Sequence, residues 1–160
     1  MDIAQTARVV TDIETELLAA YPTLARRLAL VLRNASEAED VAQAAFVRAL
    51  ENRNRFTGGD VRSWFYTIGL RLAFSELQRR KRTAAWNPHD EPSWAMSTDP
   101  DLWIALGHLE PRQRAALLLS ALEGYTHPEI GQILGVPAGT VSSWLSRTKE
   151  QLRRQLGDQT

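Results

Sequence analysis

Between residues 126 and 154 the apolar positions recur at helical spacing in two runs, and a short turn separates the runs. The first run carries Ile130, Ile133 and Leu134, and the second carries Val141, Leu145, Thr148 and Leu152. A repeat of three to four residues predicts amphipathic helices with one buried face each. The pattern therefore predicts a pair of helices joined by a tight turn.

Both ends of the first helix of this pair carry termination signals. Thr126 and Glu129 have the spacing of a reciprocal capping box, which predicts the start of the helix. Gly135 suits the left-handed conformation that ends a helix, and Pro137 suits the start of the next one. The pair has the outline of a helix-turn-helix.

The second helix of the pair turns small polar and basic side chains away from its buried face. These are Ser142, Ser143, Ser146, Arg147 and Lys149. Such side chains reach phosphates and base edges in a major groove without steric bulk. The alternative interpretation is a helical hairpin that only packs against its neighbours.

The remaining pattern is also helical and shows almost no strand signal. A first helix is predicted over roughly 12–33, with a kink or restart at Pro22. Ser36 and Glu39 predict a capping box for a second helix. Gly58 and Gly59 predict a loop, after which Asp60 caps a third helix that runs to about Arg82.

Two more helices are predicted before the helix-turn-helix. Asp99 caps a short helix that Pro100 opens, and Pro111 opens another that stops at Gly124. The predicted fold is all-α, with two small helical domains at residues 1–82 and 99–160 and a flexible linker at 83–98. The first domain is a bundle of three to four helices, and the second has four helices.

Composition narrows the setting of the chain. Of its 160 residues, 44% are hydrophobic and 24% are charged, as in globular domains. It has no cysteine, which excludes disulfides and thiolate metal sites. The N-terminus lacks the pattern of a secretory signal, and no run is long enough to span a bilayer. We expect a cytoplasmic protein without membrane insertion.

The distribution of charge is more informative than the net charge of zero. Residues 1–82 hold thirteen basic and ten acidic residues, and 111–160 hold six basic and four acidic ones, whereas 83–110 hold five acids and no Lys or Arg. The proline-rich and serine-rich acidic stretch predicts a linker. It is expected to act as a solvated spacer, or to fold back on the basic faces and weaken their binding.

Catalytic motifs are not found in the sequence. His89, His108 and His127 lack metal-ligand spacing, and neither a nucleophile elbow nor a phosphate-binding glycine loop is present. The sequence predicts a protein that is not an enzyme and needs no cofactor or metal. His127 is expected to face solvent.

Three segments together resemble one family. They are EAEDVAQAAFVRAL at 37–50, WFYTIGLRLAFSELQRRKR at 64–82 and the stretch from Leu109 to Arg153, in this order around a variable linker. In this arrangement the chain resembles the extracytoplasmic-function (ECF) sigma factors of bacteria. The resemblance implies that residues 1–82 correspond to sigma region 2 and residues 99–160 to sigma region 4. It also implies the β′ and β subunits of RNA polymerase core, promoter DNA and an anti-sigma factor as partners.

The resemblance also implies roles for individual residues. The helix that starts near Glu37 corresponds to the helix that docks on the polymerase β′ subunit, with Asp40, Gln43, Phe46 and Arg48 as candidate contacts. A place in the core is the alternative for Phe46. The loop from Phe56 to Trp64 corresponds to the part that captures an unstacked base of the minus-10 element. Trp64 and Phe65 are expected in the core rather than as stacking platforms.

The candidate DNA contacts lie in both domains. In the first domain they are Arg62, Arg71, Ser75, Arg79 and Arg80. In the second domain they are Arg112, Arg114, Thr140, Ser142, Ser143, Arg147 and Lys149. These residues are assigned to the minus-10 and minus-35 elements of a promoter.

The chain departs from the family pattern at sites of function. The family usually has glutamate where Ala44 stands and often an aromatic residue where Leu50 stands. It commonly has asparagine at the position of Arg71 and an aspartate or asparagine at Ser75. It typically has Lys-Ser-Arg where residues 142–144 read Ser-Ser-Trp, so two positive charges are missing from the groove face. Trp144 is expected to be partly buried.

Two functional interpretations follow. The first is a sigma factor with unusual promoter specificity, which binds polymerase core and directs it to promoters. The second is an interaction protein of sigma-like shape that binds an anti-sigma factor or another regulator without directing transcription. The depleted recognition helix motivates the second interpretation.

Overall fold

The computed structural model of the chain describes residues 2–83 and 99–157, without the side chains of 6–11 and 83. Its regular elements are helical. They are α1 (Ile3–Leu32), α2 (Ala35–Glu51), a 3-10 turn (Arg53–Arg55), α3 (Val61–Thr83), α4 (Pro100–Gly107), α5 (Pro111–Ala121), α6 (His127–Leu134) and α7 (Ala138–Gln155). We call residues 2–83 the N-unit and residues 99–157 the C-unit. The predicted linker, except residue 83, lies outside the described residues, as does His89.

The N-unit is built around three long helices. α1 and α2 pack against each other, and α3 packs against both. Leu17, Leu28, Ala42, Ala45 and Phe65 are almost completely buried between them. Small alanines on α2 allow a close approach of the helices, which fits the dense packing of protein interiors.

The starts of α1 and α2 differ from the prediction. α1 begins at Ile3 rather than near residue 12 and continues through Pro22 as one helix. The capping residue of α2 is Asn34, whose side-chain oxygen accepts a hydrogen bond from the Glu37 backbone nitrogen at 2.9 Å. The predicted capping box of Ser36 and Glu39 is therefore wrong, because Asn34 satisfies the helix start two residues earlier.

The C-unit contains the four predicted helices. Asp99 caps α4, and its carboxylate accepts hydrogen bonds from the backbone nitrogens of residues 101 and 102. α7 packs on α5 and α6, and Val141, Leu145 and Thr148 of α7 are buried. The predicted buried face of the second helix of the pair is confirmed at these three positions.

The two units pack against each other along an apolar seam. Leu24, Leu28, Val31 and Leu70 of the N-unit meet Ala115, Leu118 and Leu119 of the C-unit, and they enclose a cavity of only about 10 Å³. α3 is consequently buried on two sides, which explains why Tyr66 and Leu70 are buried. We call this packing the closed arrangement.

Hydrophobic runs in the described helices are short. In residues 2–83 and 99–157, no helix combines the length and apolar character that crossing a membrane requires.

Candidate polymerase and nucleic-acid interface

The turn between α6 and α7 has the geometry of the predicted helix-turn-helix. The Thr126 hydroxyl accepts a hydrogen bond from the Glu129 backbone nitrogen, and the Glu129 carboxylate accepts one from the Thr126 nitrogen at 2.9 Å. Gly135 ends α6 in the left-handed conformation with φ 72°. α7 starts directly after Pro137. The capping box and the glycine end of α6 are confirmed, and together they fix the direction in which α7 leaves the turn.

The outer face of α7 carries the predicted DNA contacts. Ser142, Ser143, Arg147 and Lys149 are exposed, and Thr140 is half-buried. The Ser142 hydroxyl donates to the Ala138 carbonyl oxygen at 3.1 Å and lies 2.7 Å from Nδ1 of His127. His127 is exposed, as expected, and it also borders the same face. This face can offer hydroxyl groups and cationic groups to a groove.

Trp144 contributes less to this face than its neighbours do. It is half-buried and packs against the core of the molecule. The expectation of partial burial is confirmed. The indole therefore adds packing at a position where the family pattern typically has arginine.

The outer face of α2 presents the predicted polymerase contacts. Asp40, Gln43 and Arg48 are exposed on it. Phe46 is half-buried, and its ring lies edge-on to Tyr21 at 5.9 Å and to Phe65 at 6.3 Å between centroids. The alternative for Phe46, a place in the core, fits its packing better than an exposed anchor does.

Val47 is a large apolar residue exposed on this face, and it was not predicted as a contact. Its exposed fraction is 52%, a high value for a valine. It follows Asp40 by seven residues and Gln43 by four, so helical spacing places all three on one side of α2. Helical spacing in the sequence places Val47 on this face, but the larger Phe46 was predicted as the apolar contact instead. An apolar side chain within a polar rim is the usual anatomy of a protein interface.

The loop between α2 and α3 forms one wall of an open cavity. Gly58 and Gly59 have φ values of 114° and 95°, which favour glycine. The rings of Phe56 and Trp64 lie 5.3 Å apart, and Trp64 is half-buried rather than fully in the core. The cavity of about 390 Å³ is also lined by Ser63 and Thr67. It combines aromatic surface with hydroxyl groups, which suits a flat polar ring.

The C-unit supplies the opposite wall of this cavity. Glu129, Gln132 and Ile133 of α6 line it across from the glycine loop. The two units thus share the space next to the loop in the closed arrangement.

The exposed face of α3 carries most of the predicted contacts of the N-unit. Arg71, Ser75 and Arg79 are exposed along it, whereas Arg62 is exposed at the start of α3, about half a turn away from that face. Arg79 donates a hydrogen bond to the Glu76 carboxylate at 3.1 Å, and this hydrogen bond lowers the pKa of Glu76. In the C-unit Arg112 is exposed, and its guanidinium lies 5.4 Å from the centre of the Phe74 ring.

Arg80 is a correction to the predicted DNA face. Only 6% of it is exposed, since it pairs with the Glu37 carboxylate and donates to the Leu32 carbonyl oxygen at 3.2 Å. The last carbonyls of a helix need donors, and Arg80 supplies one to the end of α1. In this structure it stabilises the N-unit instead of facing solvent.

Arg114 is the second correction. It is 3% exposed and donates to the carbonyl oxygens of Leu106, Leu109 and Val31. Burial, and to a smaller extent the charge of Arg33, lowers the pKa of Arg114 to about 10. Two of its acceptors are in the C-unit and the third ends α1, so Arg114 joins the units and does not face DNA in the closed arrangement.

Glu123 is a further charged residue that the sequence pattern did not reveal. It follows α5, and its side chain is only 3% exposed. One carboxylate oxygen accepts hydrogen bonds from Arg27 Nε and Tyr66 Oη, both at 2.8 Å, and the other lies 2.6 Å from Arg62 Nη2. Burial, and then the hydrogen bond to Glu123, raise the pKa of Tyr66. The spacing of apolar and polar residues cannot reveal such a residue, because its partners are distant from it in the chain.

Tyr125 adds a second polar contact beside Glu123. Its hydroxyl donates to the Asp60 carboxylate at 3.2 Å, and its ring lies edge-on to Tyr66 at 6.3 Å between centroids. Asp60 also accepts a hydrogen bond from the Arg62 backbone nitrogen at 3.1 Å, as expected of a residue that caps α3. The start of α3 is therefore held by the C-unit.

Two family profiles match the chain. Residues 17–83 match Sigma-70 region 2, and residues 101–152 match Sigma-70, region 4. The matched ranges contain the glycine loop and α3 in the first case and the helix-turn-helix in the second.

Curated relatives are similar over most of the chain. CarQ, an RNA polymerase sigma factor of Myxococcus xanthus, is 31% identical over 141 residues, which are 82% of this chain and 81% of CarQ. The ECF RNA polymerase sigma factor EcfG of Rhodopseudomonas palustris is 30% identical over 89% of this chain and 84% of EcfG. The ECF RNA polymerase sigma factor SigE of Mycolicibacterium smegmatis is 33% identical over 88% of this chain, but the chain spans only 60% of SigE.

Solved structures share the fold. RpoE of Bartonella quintana, a sigma factor in complex with the anti-sigma factor NepR, superposes with a TM-score of 0.80 and 25% identity, over 93% of this chain and 99% of RpoE. The ECF sigma factor SigJ of Mycobacterium tuberculosis superposes with a TM-score of 0.60 at 20% identity, over 89% of this chain and 52% of SigJ. SigJ supports the fold alone.

Proposed function

The chain belongs to the ECF sigma factors of the sigma-70 family, and on that premise we propose that three separate surfaces carry out promoter recognition. A sigma factor binds RNA polymerase and promoter DNA. We assign a different binding role to each surface on the basis of their order along the chain. This order is the outer face of α2, the glycine loop with α3, and the outer face of α7.

The outer face of α2 is the proposed docking surface for polymerase core, with the β′ subunit as its partner. Asp40, Gln43 and Arg48 supply a polar rim, and the exposed Val47 supplies an apolar centre. Buried apolar groups surrounded by polar contacts supply most of the affinity at such interfaces. Phe46 supports this face from behind by packing on Tyr21 and Phe65.

The cavity beside the glycine loop is the proposed site for an unstacked minus-10 base. Extrusion of a base costs a few kcal/mol, and stacking plus edge contacts offset that cost. Trp64 was expected in the core, but it is half-buried and lines the cavity, so we assign the stacking surface to Phe56 and Trp64 and the hydrogen-bonding groups to Ser63 and Thr67. Arg71, Ser75 and Arg79 would then follow the strand along one face of α3, and Arg62 would meet a phosphate at the start of the helix.

The outer face of α7 is the proposed reader of the minus-35 element, with Arg112 as an added phosphate contact. Thr140, Ser142 and Ser143 face the groove, and Arg147 and Lys149 provide charge. The absence of lysine and arginine at 142 and 144 is expected to weaken duplex binding and to shift its base preference.

The test combines binding and transcription. Purified chain is mixed with polymerase core on a sizing column, and run-off transcription is then measured on a library of promoter DNA. Asp40→Ala with Gln43→Ala is expected to weaken co-elution with core while the circular-dichroism spectrum stays unchanged. Glu150→Ala, which alters an exposed acid on α7, is the matched control. Absence of both a holoenzyme and transcripts would refute the proposal.

A second function is favoured by the sequence Ser142-Ser143-Trp144. With two fewer cations on α7, the chain can serve as a sigma-like interaction protein that binds an anti-sigma factor or another regulator. The B. quintana relative was solved with the anti-sigma factor NepR, which supports an anti-sigma partner for this chain as well. Holoenzyme formation without any transcript in the run-off assay would favour this second function.

A further inference from the structure

The carboxylate of Glu123 connects the units at the edge of the seam. Its three partners, Arg27, Arg62 and Tyr66, all belong to the N-unit, whereas Glu123 belongs to the C-unit. The carboxylate is almost inaccessible to water, and both of its oxygens are occupied. A buried carboxylate needs such partners, because an unpaired charge at this place would be strongly destabilising.

Arg62, which pairs with Glu123, is also a proposed contact for promoter DNA at the start of α3. Its guanidinium is bound to Glu123 at 2.6 Å, yet 48% of its side chain remains exposed. Carboxylate and phosphate oxygens are recognised by the same guanidinium geometry. A phosphate group and Glu123 therefore compete for Arg62.

We propose that Glu123 is a latch: its carboxylate takes the place of a DNA phosphate on Arg62 and holds the closed arrangement, so that the N-unit becomes free for promoter DNA only when the units separate. The inference rests on the proposed function, because it assigns DNA contact to Arg62. It adds a regulatory residue that makes no DNA contact itself.

The neighbouring contacts place the latch at the DNA-facing part of the N-unit. Tyr125, two residues after Glu123, donates to Asp60 at the end of the glycine loop. Glu129 and Gln132 of α6 line the cavity beside the same loop. Closure thus occupies Arg62 and places side chains of the C-unit beside the proposed base site.

The polymerase-docking face stays available in the closed arrangement. Asp40, Gln43, Val47 and Arg48 are exposed on α2 while Glu123 is bound. This difference gives an order of events: core docks on the closed protein first, and promoter DNA reaches Arg62 after the units have separated. The apolar seam and Arg114 also hold the units together, so release of the latch shifts the equilibrium rather than removing the seam.

The test measures the distance between the units and the DNA affinity of the free protein. The chain has no cysteine, so Ser36→Cys and Ser146→Cys, at exposed positions of the two units, accept a donor and an acceptor dye. Glu123→Gln keeps the shape of the side chain but removes its charge. We expect lower energy transfer and about tenfold tighter binding to a labelled mixed-sequence duplex, because the substitution removes the charge that pairs with both Arg27 and Arg62, and a tenfold change corresponds to about 1.4 kcal/mol.

Two further variants link the effect to Arg62. In an Arg62→Ala background, Glu123→Gln should still lower energy transfer but should give no gain in DNA affinity. Arg27→Gln weakens the same carboxylate cluster without changing Arg62 or Glu123, and it should also open the units. If Glu123→Gln does not fold, Arg27→Gln still tests by energy transfer whether the carboxylate cluster holds the units together. Glu150→Gln, on an exposed pair with Arg154, is the matched control.

Unchanged energy transfer in both Glu123→Gln and Arg27→Gln would overturn the latch. A gain in DNA affinity that persists without Arg62 would overturn the competition. Co-elution of Glu123→Gln with polymerase core separates these results from the proposed function. A chain that fails to bind core refutes that function, whereas a chain that binds core with unchanged inter-unit distance refutes the latch alone.

Discussion

Gly131 and Val136 approach each other so closely across the turn of the helix-turn-helix that a side chain at 131 has no space. A Cβ placed on Gly131 would lie 2.5 Å from the Val136 carbonyl oxygen. The Val136 backbone nitrogen also donates to the Gly131 carbonyl oxygen at 2.9 Å, so the backbone itself closes the turn. The glycine therefore fixes the angle between α6 and α7.

The substitution Gly131→Ala is expected to destabilise the C-unit by about 1–3 kcal/mol, as overpacking in a tight site does. The obstructing atom belongs to the backbone, so it cannot rotate away. Gly139→Ala is the matched control: a Cβ at 139 meets nothing within 4 Å, and alanine favours a helix. Urea unfolding followed by circular dichroism measures both variants. Equal stability of Gly131→Ala and the original chain would contradict the close approach.

Arg114 supports a prediction about the joint between the units. Arg114→Ala removes the donor for the carbonyl oxygens of Val31, Leu106 and Leu109. A buried acceptor that loses its donor destabilises the folded state by up to about 1–3 kcal/mol. We therefore expect the free energy of unfolding to fall by a few kcal/mol. Arg112→Ala, at an exposed neighbour, is expected to change it by less than about 0.5 kcal/mol. A similar small change for both variants would show that Arg114 is not needed for packing.

The sequence predicted what depends on neighbours along the chain. The Thr126–Glu129 capping box, the end of α6 at Gly135 and the buried positions of α7 all follow from local spacing, and the structure confirms them. Which arginines face solvent does not follow from spacing. Arg80 and Arg114 resemble exposed basic residues in sequence, but both reach carbonyl oxygens at the end of α1, which only the packing brings near.

The same limit applies to the contacts between the units. Glu123 and Arg27 are separated by 96 residues, so no periodicity connects them. Val47 shares a face with Asp40 by helical spacing, but its exposure depends on how α2 packs on α1 and α3. The family resemblance assigned candidate surfaces to helices, but it could not show which of their residues already contact the other unit.

Tyr66 gives a prediction about alkaline pH. Burial and the Glu123 carboxylate raise its pKa above the ordinary value of 10.0, so above pH 10 the folded chain keeps a proton that the unfolded chain loses. When the unfolded state binds fewer protons, stability falls as pH rises. The contribution is fully present below pH 10 and is lost above it. Tyr66→Phe should be less stable at neutral pH, because it lacks the hydrogen bond, but its stability should fall less above pH 10.

Urea unfolding below and above pH 10 measures this difference. Tyr21→Phe is a useful comparison, because burial and the hydrogen bond to Glu39 raise the pKa of Tyr21 to about 12 at a site away from the seam. Identical pH dependence of the original chain and Tyr66→Phe would argue against the Tyr66–Glu123 hydrogen bond in solution.

The charge on α7 can be counted through the salt dependence of duplex binding. Each phosphate contact adds about 0.9 to the slope of log affinity against log salt concentration, because one condensed counterion is released. Arg147→Ala and Lys149→Ala should each lower the slope by about that amount.

Ser142→Lys restores a cation at an exposed position and should raise the slope by about 0.9, although it removes the contact of the Ser142 hydroxyl with His127. Glu150→Gln controls for a change of net charge on the same helix. Titrations with the polymerase-bound chain at several salt concentrations would show whether these shifts occur, and equal slopes for all variants would remove α7 from the DNA interface.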